Sequence, residues 1–244
     1  VDADDDAEAA VLNASQGQRP VALPPAPVSG FRTLGHGTVV VDGPPRLAVD
    51  PWRWREPGVV RVVLLTDGAI DHCSEEDILA AGGGDAAVIC PAALVARLSR
   101  SFPGRVAGLR EGDTWTADGA VVRALPARAV ARAGGFLRRG EGLTYLVECA
   151  GARWLFLGAS DALPEHEGLA PDAAFFAVGD FTTPTPGESA DAAARVRPGL
   201  AVPTHWGDLA ARFDAARRFA SLCEPLGVRA IAVRGVRDGD SSPD

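Results

Sequence analysis

Val62-Val63-Leu64-Leu65-Thr66-Asp67-Gly68-Ala69-Ile70-Asp71-His72-Cys73-Ser74 is the stretch on which the fold reading turns. An apolar, β-branched run ends at Thr66, so residues 59–65 read as one strand buried on both faces. A short loop carrying two carboxylates and a histidine follows. Ser74-Glu75-Glu76-Asp77 then opens a helix, with Ser74 as N-cap and Asp77 at the reciprocal capping position. A strand that stops and presents Asp and His on the next loop is a common way to build a metal site, because the turning backbone lets adjacent side chains converge.

Outward from this stretch, strands and helices alternate. Upstream, strands at 31–34 and 38–41 flank Gly35-His36-Gly37, and a third at 46–49 ends in Asp50-Pro51. Downstream, the helix at 74–81 closes on Gly82-Gly83-Gly84, a strand runs over 86–90, and Pro91 begins a helix to 101. Strands at 105–108, 113–116 and 120–125 form a meander, followed by an irregular loop at 126–142 and a hairpin of 143–149 with 153–157. The last third predicts a strand at 173–178, a helix at 188–196, a strand at 200–202, an amphipathic helix at 208–226 and a strand at 228–233. Meanders interrupted by helices predict two sheets with helices outside, an α/β sandwich in a single domain over residues 28–236. Residues 1–27, acidic and then proline-rich, predict a flexible arm, and residues 237–244 a disordered tail.

Composition narrows the function. The 244 residues are 47% hydrophobic, enough for a sizeable core, and carry a net charge of -8. That charge argues against nucleic acid and anionic membranes as partners, since both need basic patches, and leaves a small-molecule ligand. No apolar run approaches the roughly 18 residues of a membrane helix, and no secretory signal is read, so a cytoplasmic location is expected. All basic residues are Arg and none is Lys, a bias of GC-rich bacterial genomes. The cysteines are scattered without a C-x-x-C pair, so Cys90, Cys149 and Cys223 read as small buried apolar residues.

The four histidines are His36, His72, His166 and His205. His72 and His205 sit where buried strands end, and Asp71 adjoins His72. Two imidazoles and a carboxylate form a three-ligand set with open positions, which suits a catalytic Zn²⁺ or a two-His-one-carboxylate Fe(II). The same residues also read as hydrogen-bonded structural groups at strand ends. His36 reads as a structural hydrogen-bonding residue or a substrate contact, and His166, between two glutamates, as a surface residue. Asp161 reads as a solvated turn residue near the site. Trp52, Trp54 and Trp206 either wall an apolar pocket or pack its rim. Arg132, Arg138 and Arg139 either bind an anionic substrate or lie on a solvated loop.

Several ordered segments together resemble the metallo-β-lactamase superfamily, in its ascorbate-6-phosphate lactonase branch. Leu34-Gly35-His36-Gly37-Thr38 resembles that branch's opening Gly-His hairpin, and Leu47-Ala48-Val49-Asp50-Pro51 its Asp-Pro strand end. Leu64 to His72 is similar to the signature Thr-His-x-His-x-Asp-His. Leu157-Gly158-Ala159-Ser160 resembles the segment that carries the bridging Asp, and Pro203-Thr204-His205 the one that carries the last ligand. The resemblance implies the αββα metallo-β-lactamase-like sandwich. It also implies a degenerate metal site: four ligand positions are changed (Asp67, Ala69, Arg128, Ala159) and three are kept (Asp71, His72, His205). The changed positions are those of the first metal and the bridge, so a dinuclear centre is not expected. Arg128 facing Asp67 would replace an ion with an ion pair. Two functions follow as expectations. One is a hydrolase of a small ester, lactone, amide or phosphate compound, with one Zn or Fe(II) ion on Asp71, His72 and His205. The other is a metal-free pseudoenzyme, binding protein or repurposed enzyme whose cleft uses Asp67, His72 and Arg128.

Overall fold

The computed structural model describes residues 29–129, 137–179, 182–206 and 213–231. The expected N-terminal arm, the C-terminal tail and Arg132 lie outside them. Sheet one runs in chain order through β1 (Phe31–Thr33), β2 (Val39–Val41), β3 (Leu47–Val49), β4 (Val62–Leu64), β5 (Ala87–Pro91) and β6 (Val106–Leu109). Its first three strands are antiparallel, and β3 to β6 are parallel. Sheet two holds β7 (Thr114–Ala117), β8 (Ala120–Pro126), β9 (Leu143–Cys149), β10 (Ala152–Phe156), β11 (Ala173–Ala177) and β12 (Leu200–Thr204), again neighbours in chain order. The meander β7 to β10 is antiparallel, while β10 to β12 are parallel.

The two-residue period of the strands builds the layers. Val62 and Leu64 point inward and pack against Tyr145, Trp154 and Phe175 of the other sheet. Val63 and Leu65 point outward and pack with Ile78 of α1 (Glu75–Gly82) and Leu98 of α2 (Val95–Ser101). On the opposite side, Leu155 and Phe176 pack with Ala193 of α3 (Pro186–Val196) and Phe219 of α4 (Phe213–Cys223). Three apolar layers between four structural layers give the expected αββα sandwich. Buried Tyr145 also joins the sheets by donating its hydroxyl to the Leu65 carbonyl at 2.8 Å.

Local chemistry sets the helix ends. Ser74 caps α1 by accepting the Asp77 N–H at 3.3 Å. The Asp77 carboxylate does not complete the expected reciprocal box. It accepts the Trp54 N–H at 2.7 Å and so ties the loop after β3 to α1. The reciprocal box occurs instead on α3, between Thr185 and Glu188. Val59, expected inside a strand buried on both faces, is 54% exposed because the strand begins only at Val62. Of the final strand, the described residues form a single bridge, Ala201 to Ala230. All four cysteines are buried free thiols.

His166 is buried rather than on the surface, despite its glutamate neighbours. Its Nδ1 accepts the Leu163 N–H at 3.1 Å, and its Nε2 donates to the Pro126 carbonyl at 2.9 Å. This pairing admits only the neutral Nε2–H tautomer. Burial pushes the His166 pKa down, against the opposing pull of the Pro126 carbonyl and Glu165, while Arg195 adds to the depression. The unfolded chain takes up a proton here below about pH 6.5 that the folded chain refuses, so the stabilisation is present above that pH and is lost as pH falls. Urea titrations of the wild type and H166Q at pH 7.5 and 5.5 check this: the wild type's advantage shrinks at the lower pH.

Candidate metal centre

The centre lies where β3, β4 and β12 end and the β1–β2 hairpin folds over them. Asp50, at the end of β3, is fully buried. Its carboxylate accepts the Thr66 N–H at 2.7 Å, the Thr66 hydroxyl at 2.6 Å and His72 Nδ1–H at 2.8 Å. Those bonds fix His72 with Nε2 directed away from Asp50. There Nε2 lies 3.1 Å from His205 Nε2 and 3.7 Å from Asp71 Oδ2. His36 closes the group, its Nε2 2.7 Å from Asp71 Oδ2 and its ring 4.6 Å from that of His205.

The hairpin reaches His205 because Gly37 has no side chain: a Cβ there would stand 3.0 Å from His205 Cε1. The His205 N–H also donates to the His36 carbonyl at 2.7 Å. His36, Asp50 and His205 all adopt positive φ, at 46°, 46° and 58°. Such backbone costs about 1–3 kcal/mol per residue and clusters at functional sites.

Charge follows from this packing. Burial opposes a charge on His72, but the carboxylates of Asp67, Asp50 and Asp71 outweigh it and push the pKa up to about 10. Burial raises Asp50, and His72 restrains that rise. Burial also disfavours ionised Asp71, yet the hydrogen bond from His36 and the charge on His72 hold it well below the usual carboxylate range. Burial and the neighbouring His72 and His36 push His205 well below the usual histidine range. His72 is therefore the donor in its bond to neutral His205.

The donors fit a metal ion. Zinc bonds of about 2.0–2.2 Å to N and O place tetrahedral ligands roughly 3.3–3.6 Å apart. The ligand atoms of His36, His72 and His205 all lie within 4.8 Å of one another, close enough to share one ion. A buried carboxylate behind a ligating imidazole is the usual support for a metal-bound histidine. His36 Nδ1 is buried without a partner, so the cluster's own hydrogen bonds do not satisfy all its polar atoms. His36, His72 and His205 form the one metal-capable group of three among the described residues.

The sequence-predicted residues divide. His36, His72 and His205 converge, their ligand atoms all within 4.8 Å of one another, and Asp71 lies at their edge, bonded to His36 and 3.7 Å from His72 Nε2. Asp67 lies behind, its Oδ1 accepting the Ala69 N–H at 2.8 Å and its Oδ2 3.6 Å from His72 Nδ1. The expected ion pair between Asp67 and Arg128 is not formed. Ser160 clamps the Arg128 main chain, accepting its N–H at 3.0 Å and donating to its carbonyl at 3.1 Å. Exposed Arg128 instead lines a cavity of about 420 Å³ with Asp161, Glu188 and Asp191. Trp54 and Trp206 are buried in the two outer cores, so they pack rather than wall a pocket. Arg139 is exposed and pairs with Glu111 and Glu165.

A family model described as "Beta-lactamase superfamily domain" matches residues 38–206. The chain belongs to the beta-lactamase superfamily. Its metallo-β-lactamase fold recurs in solved structures. A candidate metal-dependent hydrolase from Parabacteroides distasonis is 22% identical, with a TM-score of 0.71 over 85% of this chain and 93% of that one. Igni18, a metallo hydrolase from Ignicoccus hospitalis, is 17% identical, with a TM-score of 0.70 over 85% and 95%. CmlA, a diiron β-hydroxylase from Streptomyces venezuelae, is 16% identical, with a TM-score of 0.64 over 84% of this chain and 52% of that one. No curated protein matches. The superfamily match does not distinguish the ascorbate-6-phosphate lactonase branch. No helix among the described residues is long and apolar enough to cross a membrane.

Because Asp50 orients His72, Asp50→Asn is expected to weaken any zinc binding at this cluster about 10- to 100-fold. Competition with a chromophoric chelator measures this, with circular dichroism showing that the fold is retained.

Proposed function

We propose that this beta-lactamase superfamily member is a hydrolase of a small ester, lactone, amide or phosphate compound that works with a single metal ion. The observation that carries this reading is the convergence of His36, His72 and His205, with Asp71 bonded to His36 at its edge and the Asp50 carboxylate behind His72. Asp71, His72 and His205 would hold the ion, with His36 as a fourth donor or as the group that orients Asp71. A bound Zn or Fe(II) supplies Lewis acidity toward a carbonyl or phosphoryl oxygen and acidifies water.

The chain's own residues do the rest. Asp50 holds a proton on His72 Nδ1 and so keeps Nε2 turned to the site. Ligation through Nε2 requires the proton shared with His205 to leave, so binding releases a proton. Asp71 is the most open of the four, with 23% of its side chain exposed against 5% for His36 and 3% for His72. Substrate therefore approaches past Asp71. The His36 Nε2–Asp71 Oδ2 hydrogen bond lies on that approach, where His36 would serve as the proton donor.

The metal-free reading also has its observation. The chain Asp50–His72–His205 is a complete hydrogen-bonded relay without an ion. Metal analysis of protein purified without chelator separates the two. Single-ion hydrolysis predicts about one equivalent of Zn or Fe, a lower content in H205A, and ester hydrolysis that tracks occupancy. A content near zero after incubation with Zn²⁺ or Fe²⁺ favours the relay and overturns the hydrolase.

A further inference from the structure

A second cavity, of about 500 Å³, opens at the carboxyl ends of β5 and β6, beside the end of β4 that carries the metal centre. Its apolar walls are Pro91, Ala92, Ala93, Leu109 and Leu143. Both sides touch the loop of the centre. The Leu143 N–H donates to the Thr66 carbonyl at 2.8 Å, and a Cβ on Gly142 would lie 3.2 Å from Asp67 Cβ. On the far side Leu94, next to Ala93, packs so close to Gly68 that a Cβ there would meet Leu94 Cδ2 at 2.9 Å. Ligands of parallel sheets collect at this end of the strands.

The charged lining is asymmetric. Glu111 is paired at 2.7 Å with Arg139, which also reaches Glu165 at 3.3 Å. Arg110 lines the same cavity, and among the described residues its guanidinium has no ion pair. The nearby Asp113 carboxylate is turned to the Arg110 main-chain N–H, at 2.7 Å. One uncompensated guanidinium over an apolar cavity complements an apolar body carrying one anionic group.

We propose that this cavity is the substrate's tail pocket and takes an apolar chain ending in a carboxylate, paired with Arg110. The word "substrate" rests on the hydrolase reading, while the binding specificity stands apart from it. The test is a chemical-shift titration of the full chain with hexanoate and with 1-hexanol. Hexanoate is expected to bind about tenfold tighter, as a charge-assisted pair allows. R110Q is expected to erase the difference, and A93F to weaken both ligands by narrowing the cavity. Equal binding of the two ligands, or a hexanoate preference that survives R110Q, overturns the pocket. Metal content and ester hydrolysis are measured on the same samples. Preference without metal or hydrolysis leaves the pocket standing and removes the hydrolase. Metal and hydrolysis without preference do the reverse.

Discussion

The buried carboxylate of Asp50 is the constraint on which the site depends. An ionised carboxylate without water is costly unless donors converge on it. Three do: two from Thr66 and one from His72. They tie the end of β3 to the end of β4 and leave His72 a single orientation. The loop from Asp67 to Cys73 then runs between fixed points, and Asp71 emerges on the solvent side of His72. Removing any one donor leaves a buried charge short of partners, so the arrangement holds as a unit.

The second support is steric. Gly37 lets the β1–β2 hairpin lie against the His205 ring, and the His205 N–H bonds to the His36 carbonyl. Two sheets therefore meet at one cluster, with His36 and His72 from the first and His205 from the second. Asp67 and Arg128, which the sequence expects to face each other, are held apart by their own local contacts. Asp67 closes a turn on Ala69 and adds negative charge behind His72. Arg128 is held by Ser160 with its side chain on a separate cavity.

The sequence carried the layers well. The Val62–Leu65 run showed a strand buried on both faces because its alternate residues serve different cores. That His72 and His205 meet was legible because each follows the end of such a run. His36 was seen only as an ambiguous polar residue, since its role depends on a hairpin meeting β12, which no local spacing encodes. The expected Asp67–Arg128 ion pair does not form because position in a loop does not say which way the chain carries a residue. The Arg128 main chain is held by Ser160, thirty-two residues later. His166 looked exposed from its flanking glutamates, while the Pro126 carbonyl and the Leu163 N–H that bury it are invisible to composition.

X-ray absorption of the zinc-loaded protein tests the central claim most directly, because it counts ligands and ions without reference to substrate. One ion on this cluster predicts a first shell of N and O at about 2.0–2.2 Å, outer-shell scattering from at least two imidazoles, and no metal–metal vector. A metal–metal vector near the roughly 3.5–4 Å of two-metal sites, or a spectrum without imidazole scattering, would contradict it.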